Sequence, residues 1–210
     1  MWTTAFNGSP VDPDSAAAAT DTARLLEAMG HHVVIDAPAI LSDPVLWDAA
    51  KAAMATSAAA EAASWAERIG HPLGEADVEA RSWAMIQAGK AMSAVDLTTT
   101  IETLQRCAAE AAAWFEGFDL LVTPTTAAPA TLLGEYLNNY VSGLGSAFTR
   151  PINVTGNPAI SLPLGWPDDG LPRGVQLVGG YGREDVLIRV ASALEAAVPW
   201  WHRRPPTLGA

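Results

Sequence analysis

Apolar residues fall into two regimes along this chain, and the change comes near Gly117. Before it the spacing is helical. Pro13 stands at an early helical position, Asp12 and Asp14 are acidic first-turn residues and Gly30 lies just past the end, so a helix is predicted over 13–29, with Leu25, Leu26 and Met29 on its buried face. Val33-Val34-Ile35 is β-branched throughout and closed by Pro38, which predicts a short buried strand. Ser42, Asp43 and Pro44 start a second helix, the alanine-rich stretch from Ala49 to Ala63 carries it, and it ends near Gly70. A further helical region runs from Glu75 to Glu116, with Gly89 as a weak point and Ser93 and Asp96 as a fresh cap. Within it Leu97, Ile101, Leu104, Ala108, Ala111 and Phe115 form a stripe expected in the core.

After Gly117 short apolar runs at 118–122, 158–164 and 174–179 are separated by Pro and Gly. Continuous apolar character predicts strands covered on both faces, as in a mixed or parallel sheet flanked by helices: an α/β fold. Residues 1–6 read as a strand, residues 125–157 as mostly loop with one short helix from Tyr136 to Leu144, and Arg183-Glu184-Asp185 as the start of a last helix carrying Val186, Leu187, Val190, Leu194 and Ala197. The tail after Pro199 is aromatic and basic and is expected on the surface. No linker or repeat interrupts the 210 residues, so one domain over 1–210 is expected.

Half of the residues are hydrophobic and 17% are charged, which is a globular composition. A net charge of -11 repels phosphate backbones and anionic headgroups, so nucleic acid and membrane are not expected partners. With one cysteine, Cys107, an internal disulfide is excluded and a cytoplasmic location is expected. Met1 to Phe6 carries no basic, apolar leader, and no later segment reaches the roughly 18 uninterrupted apolar residues of a membrane span.

Most candidate chemistry reduces to ordinary structure. No Gly-x-Ser-x-Gly elbow, His-Glu-x-x-His, Cys-x-x-Cys or P-loop is present. His31 and His32 read as a solvated turn rather than metal ligands, Cys107 as a buried inert thiol, Gly179, Gly180 and Gly182 as a tight strand-to-helix turn, and Asp168 with Asp169 as a surface hairpin. No metal or cofactor is expected. The stretch 148–163 differs. Asn153, Thr155 and Asn157 alternate with Pro151, Gly156 and Pro158, which predicts extended, turned backbone rather than helix. Two readings stand: polar groups facing a cleft, or side chains satisfying their own loop.

The order of motifs resembles the carboxyl-terminal part of the amidase-signature hydrolases. The motifs are Pro10-Val11-Asp12-Pro13, Leu26-Glu27-Ala28-Met29-Gly30-His31, Asp119 to Thr123, Asn153 to Pro163, Gly174-Val175-Gln176-Leu177-Val178-Gly179 and the helix opening at Arg183-Glu184-Asp185. Pro199-Trp200 and Arg203-Arg204-Pro205-Pro206 are similar to the branch acting on linear or cyclic amides and aryl acylamides. The resemblance implies a partial amidase-signature fold and a hydrolase of carbon–nitrogen amide bonds in the intact enzyme. Family members use a Ser-Ser-Lys triad. Here the only lysines are Lys51 and Lys90, in helical contexts, and no two serines are adjacent, so no catalytic residue carries over. What does carry over is the wall of the acyl pocket: Thr123 and Pro124 at a strand end, and Phe148, Asn153, Thr155 and Gly156 on a loop facing the substrate.

The resemblance implies a chain inactive alone, with strand edges and apolar surface left bare, and hence a homo-oligomer or a missing amino-terminal half as partner. Two further functions are implied: a non-catalytic binding or scaffolding subunit, and one half of a split heteromeric amidase. A small amide is the substrate expected of the intact enzyme.

Overall fold

The computed structural model describes residues 10–135 and 144–203. The strand expected at Trp2 to Phe6 and the Arg204-Pro205-Pro206 motif lie outside the described residues, as does the Tyr136–Leu144 helix but for its last residue. Two compact units form, one from Met1–Ser42 with Glu110–Ala210 and one from Asp43–Ala109.

The first unit is a small sheet with the helices Pro13–Ala28 and Glu184–Ala197 packed on one face. Strands β1 (Leu120–Pro124), β2 (Ala159–Gly165) and β3 (Arg173–Gly179) occupy the three apolar runs, in the order β1-β3-β2. Both pairs are antiparallel, with Leu177 opposite Val122 on one side and Ile160 on the other. The fold is α/β as expected, but the described strands are neither parallel nor mixed. A strand flanked on both sides and covered on both faces reads as apolar whichever way its neighbours run.

Helix α1 (Pro13–Ala28) starts as the sequence demands: the Asp12 carboxylate accepts the Ser15 N–H at 3.0 Å and proline opens the first turn. Its buried face is made of small residues, Ala18, Ala19 and Ala23, with Leu26 beside them, while Met29 is 37% exposed against expectation. Ala18 and Leu26 meet Val122, Val175, Leu177 and Leu162 from the sheet in one core. The last helix of the chain, Glu184–Ala197, adds Leu187, Ala191 and Leu194 to the same core. Ala197, one of the apolar positions at helical spacing, is exposed, whereas Ala191 is buried. Val33, Val34 and Ile35 do not form a buried strand: only Ile35 has a bridge, and it is 76% exposed.

The second unit is built on helices α2 (Pro44–Ile69) and α3 (Ala80–Ala91). Asp43 caps α2 through the Val45 N–H at 2.8 Å, and Gly70 ends it at φ 82°. Gly89 is not a break. It lies inside α3, where a Cβ would stand 1.9 Å from the Ala55 carbonyl oxygen, so the missing side chain lets two helices touch. The true break is at Met92 and Ser93, before α4 (Ala94–Trp114). There the Ser93 hydroxyl accepts the Asp96 N–H at 3.1 Å while the Asp96 carboxylate accepts the Ser93 N–H at 3.0 Å, a reciprocal cap. The Ser93 hydroxyl also donates to the Asp96 carboxylate at 2.7 Å, and this bond, with the one from the Ser93 N–H, holds the Asp96 carboxyl below its ordinary range. On α4 the buried positions are Thr100, Cys107 and Ala111, whereas Ile101 is 45% exposed. Ala111 is thus buried as the apolar stripe predicts and Leu97, Leu104, Ala108 and Phe115 are half-buried, while Ile101 faces outward and Thr100 and Cys107, each one position before a stripe residue, are buried as well.

Candidate functional site

The pleat sends Thr123 and Gln176 to the sheet face opposite α1. Both are buried, at 0% and 4% exposure, so their polar atoms need partners. The Gln176 amide donates to the Thr123 hydroxyl oxygen at 3.0 Å and lies 3.2 Å from the Phe148 carbonyl oxygen as a second acceptor. The Thr123 hydroxyl in turn donates to the Pro124 carbonyl oxygen at 2.9 Å. One amide thus ties the end of β1 to the start of α5 (Thr149–Thr155), with Phe148 fully buried as the anchor.

Helix α5 corrects the expectation of extended backbone and a loop at Asn153 and Thr155. Pro151 sits in the first turn, where a helix has no use for its missing N–H, and Gly156 closes the helix at φ 74°. The Thr155 hydroxyl bonds the Asn157 side-chain oxygen at 2.8 Å, and the Asn157 amide donates to the Gly179 carbonyl oxygen at 2.9 Å. The end of α5 is therefore pinned to the end of β3.

The six residues implied as the pocket wall divide accordingly. Thr123, Pro124, Phe148 and Thr155 are buried and internally held, while Asn153 and Gly156 are exposed on α5 and at its exit. Thr123 and Phe148 are brought together through Gln176, and Thr155 and Gly156 are neighbours at the helix end. The Asn153 side chain is tied to neither group. Sequence reasoning does not single out Gln176, although a signal exists: it is the one polar residue inside an apolar strand, and such a residue in a covered sheet must have partners. Thr125 and Ser161 escape it as well. Their hydroxyls meet at 2.6 Å beside Gly174, where a Cβ would come within 2.7 Å of the Thr125 oxygen.

Gln176→Leu keeps the volume but removes the buried amide that donates to the Thr123 hydroxyl oxygen and the Phe148 carbonyl oxygen. It is expected to cost about 2 kcal/mol in urea unfolding, with Gln176→Glu failing to restore the loss because one of the two lone-pair acceptors would then face a carboxylate.

Behind the site a buried guanidinium holds the β2–β3 turn. Arg173 is 4% exposed and meets Asp169 at 2.6 Å, Asp12 at 3.5 Å and Asp14 at 3.6 Å, and it donates to the Leu171 carbonyl oxygen at 3.0 Å. Asp168 and Asp169 thus lie in a surface turn, as expected, and Asp169 is a structural partner of Arg173. The Arg173 hydrogen bond, helped by the Leu171 N–H, holds the Asp169 carboxyl below its ordinary range. A carboxylate depressed in the folded state stabilises the fold above its unfolded pKa, and that contribution is lost as pH falls through the lower folded value. Thermal unfolding followed from pH 6 down to pH 2 should therefore lose stability below about pH 4, and Asp169→Asn should flatten part of that acid limb.

The remaining candidates sit where chemistry is not supported. His31 and His32 are exposed beside a cleft of about 290 Å³ floored by Leu26, Val33 and Leu120. Among the described residues no group of three His, Cys, Asp or Glu side chains could hold a metal ion. Cys107 is buried, and the glycines at 179–182 form a tight turn with Gly182 at φ 73° and Arg183 paired to Asp185 at 2.9 Å. Lys51 and Lys90 are both exposed, the first 3.5 Å from Asp48 and the second over the Trp83 ring. Neither lysine lies beside a serine hydroxyl in a buried site, the setting in which a lysine serves as base.

The family model described as Amidase matches residues 2–188. The chain is 38% identical over 94% of its length to the 6-aminohexanoate-cyclic-dimer hydrolase of Paenarthrobacter ureafaciens, of which it covers 43%. To the hydrolase of the same name from Pseudomonas sp. (strain NK87) it is 39% identical, again over 94% of its own length and 43% of the relative's. Among solved structures, 6-aminohexanoate cyclic dimer hydrolase complexed with substrate superposes with a TM-score of 0.84 at 37% identity, covering 94% of this chain and 44% of that one. A bacterial aryl acylamidase of the amidase-signature family superposes at 0.72 and 25% identity, covering 97% and 45%. The chain spans less than half the length of these relatives. With the ordered motifs, the sheet and these matches in hand, the chain belongs to the amidase family and corresponds to its carboxyl-terminal part.

Proposed function

We propose that this chain supplies the acyl-pocket wall and part of the sheet of an amide hydrolase and has no hydrolytic activity by itself. The observation that carries the reading is the pairing of a match over 94% of the chain with coverage of only 43% of the relative, the covered part holding no adjacent serines and no buried lysine. In this reading Thr123, Pro124, Phe148 and Thr155 are the rigid back of the wall, and Asn153 and Gly156 are its exposed front. The Gln176 and Asn157 bonds support that division because they immobilise the back from both ends of α5. The substrate is a small linear or cyclic amide, a class that includes the cyclic dimer for which the relative is named. The working location is the cytoplasm, consistent with a single buried cysteine and with no described helix long and apolar enough to cross a membrane.

The test is hydrolysis of 6-aminohexanoate cyclic dimer by the purified 210-residue chain, followed by amine release. No release above buffer is expected. Release that disappears on substitution of any residue within the chain would overturn the inactive clause. Saturable binding of the amide without turnover is the result that would instead favour a binding subunit working through the wall around Asn153.

A further inference from the structure

The closing motif Pro199-Trp200-x-x-Arg203 takes no part in the pocket wall, and its contacts give it a different task. The last helix ends where the Val198 N–H donates to the Leu194 carbonyl oxygen at 2.8 Å, and Pro199 keeps the residue before it out of the helical region. A tail leaving a helix in this way frays unless something ties it down. Two of its residues are tied. Trp200 packs against the core that α1, the sheet and the last helix share, whereas its neighbour Trp201 is 72% exposed. The Arg203 N–H then donates to the Trp200 carbonyl oxygen at 2.9 Å, which turns the chain back, and the Arg203 guanidinium stands over the Trp166 ring, 4.6 Å from its centroid.

Trp166 is a fixed target. Its indole N–H donates to the Pro163 carbonyl oxygen at 2.9 Å, at the point where the β2–β3 register slips between Pro163 and Gly165. Trp166 opens the turn that runs to Arg173, and within it Gly170, at φ 75°, donates its N–H to the Pro167 carbonyl oxygen at 3.0 Å. The far end of the turn is Arg173, held by Asp12, Asp14 and Asp169. Segments from opposite ends of the sequence therefore fasten one turn, Asp12 to Asp14 at its Arg173 end and the closing motif at its Trp166 end. The two fastenings differ in kind. Arg173 is buried among three carboxylates, while Arg203 is exposed and offers a single cation to the face of a half-buried ring, a contact that opens easily.

We propose that Pro199 to Arg203 is a strap, anchored in the core by Trp200 and latched on Trp166 by Arg203, which holds the β2–β3 turn closed and releases it without unfolding the core. The inference stands whether or not the chain hydrolyses amides. It is tested on the 210-residue chain by urea unfolding and by hydrogen exchange at the Trp166 indole N–H, followed by NMR. In the parent chain that indole should be less protected than the Leu177 amide at the centre of the sheet, because the latch opens while the core stays closed. Arg203→Ala should speed the indole exchange roughly two- to fivefold and lower the folding equilibrium constant by the same factor, the worth of one exposed cation–π contact. In a Trp166→Leu background the same change should leave the folding constant where it is, since the latch is already gone. Arg203→Lys should fall between the parent and Arg203→Ala. Loss of the anchor in Trp200→Ala should lower the folding constant at least about tenfold, and Trp201→Ala by less than about threefold.

An Arg203→Ala effect of equal size with and without Trp166, or an indole exchange rate that Arg203→Ala leaves unchanged, would overturn the latch. Equal effects of Trp200→Ala and Trp201→Ala would overturn the anchor. An indole as protected as the Leu177 amide in the parent chain would overturn release. Should Trp166→Leu fail to fold, the indole exchange of Arg203→Ala against the parent chain decides.

Discussion

Gly89→Ala should destabilise the chain by about 2–3 kcal/mol, the reverse of what the same change does in an exposed helix. At such a site alanine is favoured over glycine by roughly 1 kcal/mol, because glycine has more backbone freedom to lose. In α3 the added methyl carbon would stand 1.9 Å from the Ala55 carbonyl oxygen, 2.5 Å from its carbon and 2.9 Å from the Ala59 Cβ. Two of those atoms are backbone of α2, so no rotamer change relieves the contact, and the helices must separate by more than about an ångström. Urea unfolding monitored by far-ultraviolet circular dichroism measures the loss. An unchanged or raised midpoint would mean that α2 and α3 do not cross closely at Gly89.

Leu177→Ala should cost about 3–4 kcal/mol, within the range for large-to-small changes in a rigid core. Leu177 is 0% exposed at the centre of β3, between Val122 and Ile160 in the ladder, and shares a core with Leu162, Leu187 and Leu194. Strands on both sides, and α1 and the last helix over its side chain, leave little freedom to collapse into the space. Ile188→Ala, in the last helix at a residue 65% exposed, should change stability by less than about 0.5 kcal/mol and serves as the comparison. Equal effects of the two substitutions in differential scanning calorimetry would contradict the core as described.

Much of the fold is legible in the sequence because it is written in local chemistry. The starts of α1 and α2 follow from Asp12-Pro13 and Asp43-Pro44, the restart at α4 from Ser93 and Asp96, and the helix stops from Gly30 and Gly70 with positive φ. The three strands are equally plain as apolar runs between Pro and Gly. Their antiparallel order is not, since pairing is chosen among strands far apart in the chain. Helix α5 is hidden by its own punctuation: Pro151 and Gly156 look like breakers, although proline in the first turn and glycine just past the end are how a seven-residue helix is bounded.

The candidate site shows the same division. Thr123, Phe148 and Thr155 can be named from motif order, but their linkage runs through Gln176 and Asn157, bonds that span 53, 28 and 22 residues of sequence. No window along the chain contains such a bond. The cluster of Asp12, Asp14 and Asp169 around Arg173 is another case, joining the Pro-Val-Asp-Pro turn to the β2–β3 turn.

From its residues alone, the chain declared its family, its helix ends, its strand segments and the lack of a Ser-Ser-Lys triad, because each is a property of residue type and short-range order. Tertiary structure alone decided that Gly89 is a contact, that Ile35 and Ile101 face outward and that Gln176 ties Thr123 to Phe148. The reason is physical: burial, ladder register and hydrogen-bond partners are set by which distant segments pack together, and periodicity marks an apolar face without saying what will cover it.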